Sequence, residues 1–80
     1  MTTPPALAAV LDFEAEHPAP GGRKEELIRQ AFGISAARYY QLLHRYADSL
    51  EGQQHDPRTT NRIRRQREAD TATRERRTRT

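Results

Sequence analysis

The sequence has no cysteine and no tryptophan, and its aromatic residues are three Tyr and two Phe. The lack of cysteine excludes a disulfide framework and thiolate metal sites. The apolar run Ala6–Leu11 is too short for a membrane span and lacks the basic flank of a signal peptide, so no membrane partner is expected. A soluble cytoplasmic protein is the default expectation. Large apolar side chains are scarce and unevenly spread. Fourteen lie between Leu7 and Leu50, and a single one, Ile63, follows. A segment that poor in apolar surface does not offset an ordering entropy of about 1–2 kcal/mol per residue. The earlier stretch suffices for a small helical core, but not for an enzyme fold around a buried cavity.

The residues of catalysis are also thin. Asp12, Glu14 and Glu16 alternate along a helix, so neighbours diverge in direction, and Asp12 with Glu16 falls on the outer face. His17, His44 and His55 lack zinc-ligand spacing. Ser35 has no base at a telling distance in sequence. Gly21-Gly22 with Lys24 is not a phosphate loop, because no strand precedes it. No catalytic residue, cofactor or metal is therefore assigned, and no enzymatic activity is expected.

Positive charge is present, and it is segregated. Residues 1–51 hold five basic and seven acidic side chains, whereas residues 52–80 hold nine Arg and four acids. The pI near 10 thus belongs to the C-terminal segment. A basic arm on a near-neutral folded piece points to a polyanionic partner.

The apolar spacing predicts three helices. Pro4-Pro5 opens the first, with Leu7, Val10, Leu11 and Ala15 on its inner face and Asp12, Glu14 and Glu16 outward. Pro18 to Gly22 is a loop. The second helix runs from Arg23 to Phe32 and buries Leu27, Ile28, Ala31 and Phe32. Gly33 supplies a left-handed stop and Ser35 an N-cap. The third helix starts at Ala36, carries the stripe Tyr39, Leu42, Leu43, Tyr46 and Leu50, and ends before Gly52. Asp56-Pro57 can begin a fourth helix, docked through Ile63 and then fraying, with the last dozen residues disordered in the free protein.

The short step from helix two to helix three fits a helix-turn-helix. Ile28, Phe32, Ile34, Tyr39 and Leu42 are the side chains that such a motif buries. Arg29 departs from it, standing where a small residue usually allows close approach. The outward residues of helix three are then candidates for base and phosphate contacts. Ser35 caps the helix and offers a phosphate contact. Ala36 and Ala37 suit a thymine methyl, Arg38 and Arg45 guanine or phosphate, and Gln41 adenine. Tyr40 can donate to a phosphate, and His44 faces outward. In the C-terminal segment Arg58, Arg62, Arg64, Arg65 and Arg67 are the phosphate-binding candidates, since the guanidinium fork matches phosphate oxygens.

Several short runs carry a family resemblance: Val10-Leu11-Asp12-Phe13-Glu14, Phe32-Gly33-Ile34-Ser35, Arg38-Tyr39-Tyr40-Gln41-Leu42-Leu43, His55-Asp56-Pro57, and Arg62 with Arg64-Arg65. Over residues 8–68 the chain resembles a family of small actinobacterial and actinophage proteins of largely unknown function. Its members are generally taken as helix-turn-helix DNA binders, and one mycobacterial relative looks like a nucleoid-associated protein. The resemblance implies DNA binding in a regulatory or architectural role. Ala15-Glu16-His17 departs from the aromatic and basic residues usual there.

The resulting expectation is an all-α chain. An N-terminal arm covers residues 1–5. A three-helix helix-turn-helix DNA-binding domain covers 6–51, and an Arg-rich C-terminal helix that frays into a tail covers 52–80. The expected function is double-stranded DNA binding, as a transcriptional regulator or nucleoid-associated protein. The alternative is an interaction module that docks on a transcription component such as a sigma factor or RNA polymerase subunit. RNA is a weaker partner, because the tyrosines that would stack on bases sit mostly on the buried stripe. Units of this size often act as homodimers, but no apolar stripe is left over to form that interface.

Overall fold

The computed structural model describes residues 3–78, whose regular structure is entirely helical. Five helices follow in order: α1 (Leu7–Glu16), α2 (Gly22–Phe32), α3 (Ala36–Asp48), α4 (Leu50–His55) and α5 (Pro57–Thr78). None is long and apolar enough to cross a membrane.

α1, α3 and α5 pack pairwise around one core, and α2 lies against α3. The core is Val10, Leu11, Ile28, Tyr39, Leu43, Ala47 and Ile63, with Phe13, Phe32 and Ile34 half-buried at its edge. Leu42 is buried as expected, whereas Ala15 and Ala31 are exposed. Phe13, Phe32 and Tyr39 form an aromatic cluster with ring centroids 5.3–5.9 Å apart. Pro4 and Pro5 precede α1 rather than forming its first turn. The Pro5 carbonyl accepts the Tyr46 hydroxyl at 2.7 Å, which ties the chain start to α3.

Gly33, Ile34 and Ser35 join α2 to α3. Gly33 takes a left-handed conformation (φ 68°), and its N–H closes on the Arg29 carbonyl at 2.8 Å. A Cβ in that conformation costs about 1–2 kcal/mol, so glycine is favoured there. The Ser35 hydroxyl accepts the Arg38 N–H at 3.2 Å and caps α3. Arg29 is exposed and clear of the core.

One expectation fails at the end of α3. The helix ends before Gly52, but at Asp48, short of Leu50, which is 70% exposed instead of completing the buried stripe. Ser49 breaks the helix and recaps the chain: its hydroxyl accepts the Gly52 N–H at 3.0 Å and donates to the Tyr46 carbonyl at 2.8 Å. The break resets the helical phase, so Ala47 takes the buried place and Leu50 turns outward. Gly52 is not a linker residue. It is buried within α4, against the Tyr46 carbonyl.

The C-terminal segment also differs from expectation. α5 begins at Pro57, where the Asp56 carboxylate accepts the Thr59 N–H at 3.0 Å. It packs through the buried residues Thr59, Thr60 and Ile63, so the core continues past residue 51. The helix then continues to Thr78 instead of fraying after Ile63, although residues 68–77 are all exposed. Arg, Glu, Gln and Ala are good helix formers and sustain the exposed turns without packing. The last two residues of the expected tail, Arg79 and Thr80, lie outside the described residues.

Gly52 offers a test of the α3–α4 corner. A methyl group there would overlap the Tyr46 carbonyl oxygen, which Ser49 holds in place. Helix propensity alone favours Gly52→Ala by about 1 kcal/mol. The clash reverses the sign, and we expect a loss of about 1–3 kcal/mol in urea unfolding followed by circular dichroism.

Candidate nucleic-acid interface

The exposed face of α3 follows from which side its core residues occupy. Tyr39, Leu42, Leu43 and Ala47 point inward, and Ala36, Tyr40 and Tyr46 are half-buried beside them. Ala37, Arg38, Gln41, His44 and Arg45 therefore share one exposed stripe, which Asp48 ends. Arg38 and Gln41 meet one turn apart, Nη1 to Oε1, at 3.4 Å. Ser35 is exposed at the head of the stripe, but its hydroxyl is engaged as the cap. Two candidates thus lie inside the stripe's edge. Ala36 packs on the core, and the Tyr40 ring stands 5.2 Å from Tyr39.

α5 runs back along α3. Arg67 grips Asp48 with both terminal nitrogens, at 3.0 and 2.5 Å, and Arg64 lies 4.0 Å from the same carboxylate. Further on, Asp70, Thr71 and Arg74 share a cleft with Tyr40 and His44. The Arg67 hydrogen bonds, with the charges of Arg67, Arg64 and His44, hold the Asp48 carboxyl below its ordinary value. Asp48 sits in the last turn of α3, where the helix dipole disfavours a carboxylate. Pairing with arginine offsets that cost.

The candidate arginines therefore divide into two groups. Arg62, Arg64 and Arg67 already hold carboxylates of the chain itself. Arg58 and Arg65 are exposed, and Arg65 donates its Nε–H to the Asn61 carbonyl at 3.4 Å.

The centre of the molecule is a polar cluster around Glu14, a residue that the helical pattern placed outward. Glu14 is buried, not outward. Its Oε1 accepts Lys24 Nζ and the Tyr39 hydroxyl, each at 2.7 Å, and its Oε2 accepts Arg62 Nη2 at 3.3 Å. One carboxylate thus joins α1, α2, α3 and α5. Lys24 is equally buried, with its ammonium 5.4 Å from the centroid of the Tyr40 ring. Burial, and then the Glu14 carboxylate, push the Tyr39 hydroxyl well above its ordinary pKa, which keeps it a donor. Leu7, Val10, Leu11 and Glu14 share one face of α1, and Lys24 precedes Ile28 by one turn of α2. Each charge therefore occupies a core position, the signal that the outward reading of Glu14 missed.

His55 Nε2 meets Asp12 Oδ1 at 2.8 Å, linking α4 to α1 on the surface. Among the described residues, no group of three His, Asp or Glu side chains is placed to hold a metal ion.

Three predictions follow from these contacts. Glu14→Ala leaves a buried ammonium and a buried hydroxyl without their acceptor, and breaking such a pair costs about 3–5 kcal/mol. A chain this small has about 4–12 kcal/mol in total, so urea titration should find the midpoint lowered by a quarter or more of the parent's stability, and the variant unfolded without urea if the parent lies at the low end of that range. Tyr39→Phe removes one donor to a charged group and should cost about 1.5–3 kcal/mol. For Asp48, the depressed value means that its contribution is complete above the ordinary carboxylate value. It is lost as pH falls through the folded-state value. Asp48→Asn should therefore lower stability at pH 7 by at most about 1 kcal/mol, since the pair is largely exposed. The thermal midpoints of variant and parent should converge as pH falls below about 4.

No curated protein and no solved structure matches the chain. A family model does match, across residues 6–78, which takes in α1 through α5. The chain belongs to the family described as Protein of unknown function (DUF3263).

Proposed function

We propose that the protein binds double-stranded DNA through a helix-turn-helix made of α2 and α3, as a transcriptional regulator or nucleoid-associated protein. The observation that carries this reading is the stripe Ala37, Arg38, Gln41, His44 and Arg45, left exposed on α3 after a three-residue turn. In a helix-turn-helix the N-terminal part of the second helix meets base edges in the major groove. Gln41 has the donor–acceptor pair that reads adenine, and Arg38 and Arg45 have forks suited to guanine or phosphate. The methyl group of Ala37 suits thymine.

Arg38 and Arg45 of α3 and the basic residues of α5 supply the sequence-independent part. Each phosphate neutralised adds about 0.9 to the negative slope of log affinity against log salt. About five arginines so engaged give a slope of roughly −4.5. Sequence preference then comes from α3, whose Arg38 and Arg45 also suit phosphate, and the basic residues of α5 add attraction for phosphates of any sequence.

Fluorescence anisotropy with unrelated duplexes across a salt series tests this. Micromolar or tighter binding at low salt, weakening steeply with salt, is the expected result. No binding at micromolar protein overturns it. Gln41→Ala should change the preference selected from a random duplex pool more than total affinity. Arg38→Gln should weaken all duplexes and lower the salt slope by about 0.9 if that side chain meets a phosphate.

A further inference from the structure

α5 has a second charged face that the α3 stripe does not use. At 3.6 residues per turn, Arg58, Arg62, Arg65, Ala69, Ala72 and Arg76 fall on one line. At 1.5 Å per residue that line is about 27 Å long. The acids of α5, Glu68, Asp70 and Glu75, fall to either side of it. Among the described residues, the carboxylate that reaches the line is Glu14, which is buried and holds Arg62. Arg58, Arg65 and Arg76 are exposed. The first turns of the line form a shallow concavity between Arg58, Arg62 and Arg65, with Thr59 and Asn61 at its wall. Arg58 to Arg65 spans about 10 Å along the helix axis.

The direction of this face decides its use. α1, α3 and α5 pack pairwise around a shared core. Arg62 leans from α5 toward Glu14 on α1, while Arg64 and Arg67 lean the other way, toward Asp48 on α3. Arg58, Arg65 and Arg76, exposed on the rest of that line, face away from the core, as the exposed stripe of α3 does on its own side. The outward faces of three mutually packed helices diverge. A straight duplex seated on α3 therefore does not lie along α5 as well. Reaching both requires a bend of the duplex, at a cost of order 1–6 kcal/mol for 40–90° over 20–30 base pairs.

We infer that the arginine line of α5 binds the phosphates of a second duplex, so that one molecule holds two duplexes together. This rests on the reading of α3 as a duplex-binding helix.

The test uses the full chain, a duplex tethered to beads, and a labelled free duplex of unrelated sequence. Wild-type protein should capture the free duplex at low salt. Capture should rise and then fall as protein exceeds both duplexes, because each becomes separately saturated. Arg58→Gln, Arg65→Gln and Arg76→Gln together keep the helix formers and leave the Arg62–Glu14 contact intact. With unchanged circular dichroism, this variant should lose at least tenfold in capture yet still bind a single duplex. Its preference should remain sensitive to Gln41→Ala.

Equal capture by variant and parent overturns the inference. So does binding of a single duplex by the parent without capture of a second. A duplex labelled at both ends whose ends approach on binding, with no capture, shows one bent duplex on both faces and also overturns it. Capture that tracks protein dimerisation in sedimentation does the same. Failure to bind any duplex overturns the reading of α3 itself, and this inference with it.

Discussion

The Glu14 carboxylate is where four helices are held to one another. It lies inside the molecule, accepts hydrogens from Lys24 and Tyr39, and meets Arg62. Removing an ion from water costs several kcal/mol, and only close, well-directed partners offset that cost. A hydrophobic contact tolerates sliding, whereas this arrangement demands particular positions. Lys24 fixes where α2 begins beside α1, Tyr39 fixes the rotation of α3, and Arg62 fixes the placement of α5. With so few large apolar side chains, non-directional contacts alone constrain helix orientation weakly. The carboxylate adds directional contacts to that core, and no buried side-chain nitrogen or oxygen among the described residues lacks a partner.

The second constraint is the corner at Ser49. The Tyr46 carbonyl, the Ser49 hydroxyl and the Gly52 N–H form a closed set of hydrogen bonds. Gly52 lets α4 approach that carbonyl closely. The corner turns the chain sharply enough for α5 to come back along α3. Without it, α3 would run on as a longer rod, and Ile63 and Thr60 would have no core to enter. Packing of α5 beside α3 therefore depends on a serine and a glycine, not on apolar residues.

Charge is used in two ways along α5. Arg62, Arg64 and Arg67 hold Glu14 and Asp48, and so dock the helix. Arg58, Arg65 and Arg76 stay at the surface. Residue type does not separate the two groups; position on the helix does. Side chains on the flanks of the buried face reach carboxylates on α1 and α3, and those on the far side do not. A positive segment that seemed uniform is thus part scaffold and part free cation.

Much of this was legible in the residues. The periods of Leu7, Val10 and Leu11, of Leu27 and Ile28, and of Tyr39, Leu42 and Leu43 specify three helices, because a 3.6-residue repeat of apolar side chains buries one face only as a helix. Gly33, Ser35 and Asp56-Pro57 mark the helix ends through local backbone chemistry that needs no tertiary partner. The exposed stripe of α3 follows directly from its buried one. What the tertiary structure decided was the fate of polar residues at ambiguous positions. Glu14 and Lys24 are buried because each finds the other across two helices, a pairing that no local rule reports. Leu50 is exposed because α3 breaks one residue earlier, and α5 is divided into docking and free arginines by where Glu14 and Asp48 happen to lie. Local sequence sets helix period and caps through contacts within a turn or two, whereas the burial of a charge depends on a partner distant in the chain and is settled only when the helices meet.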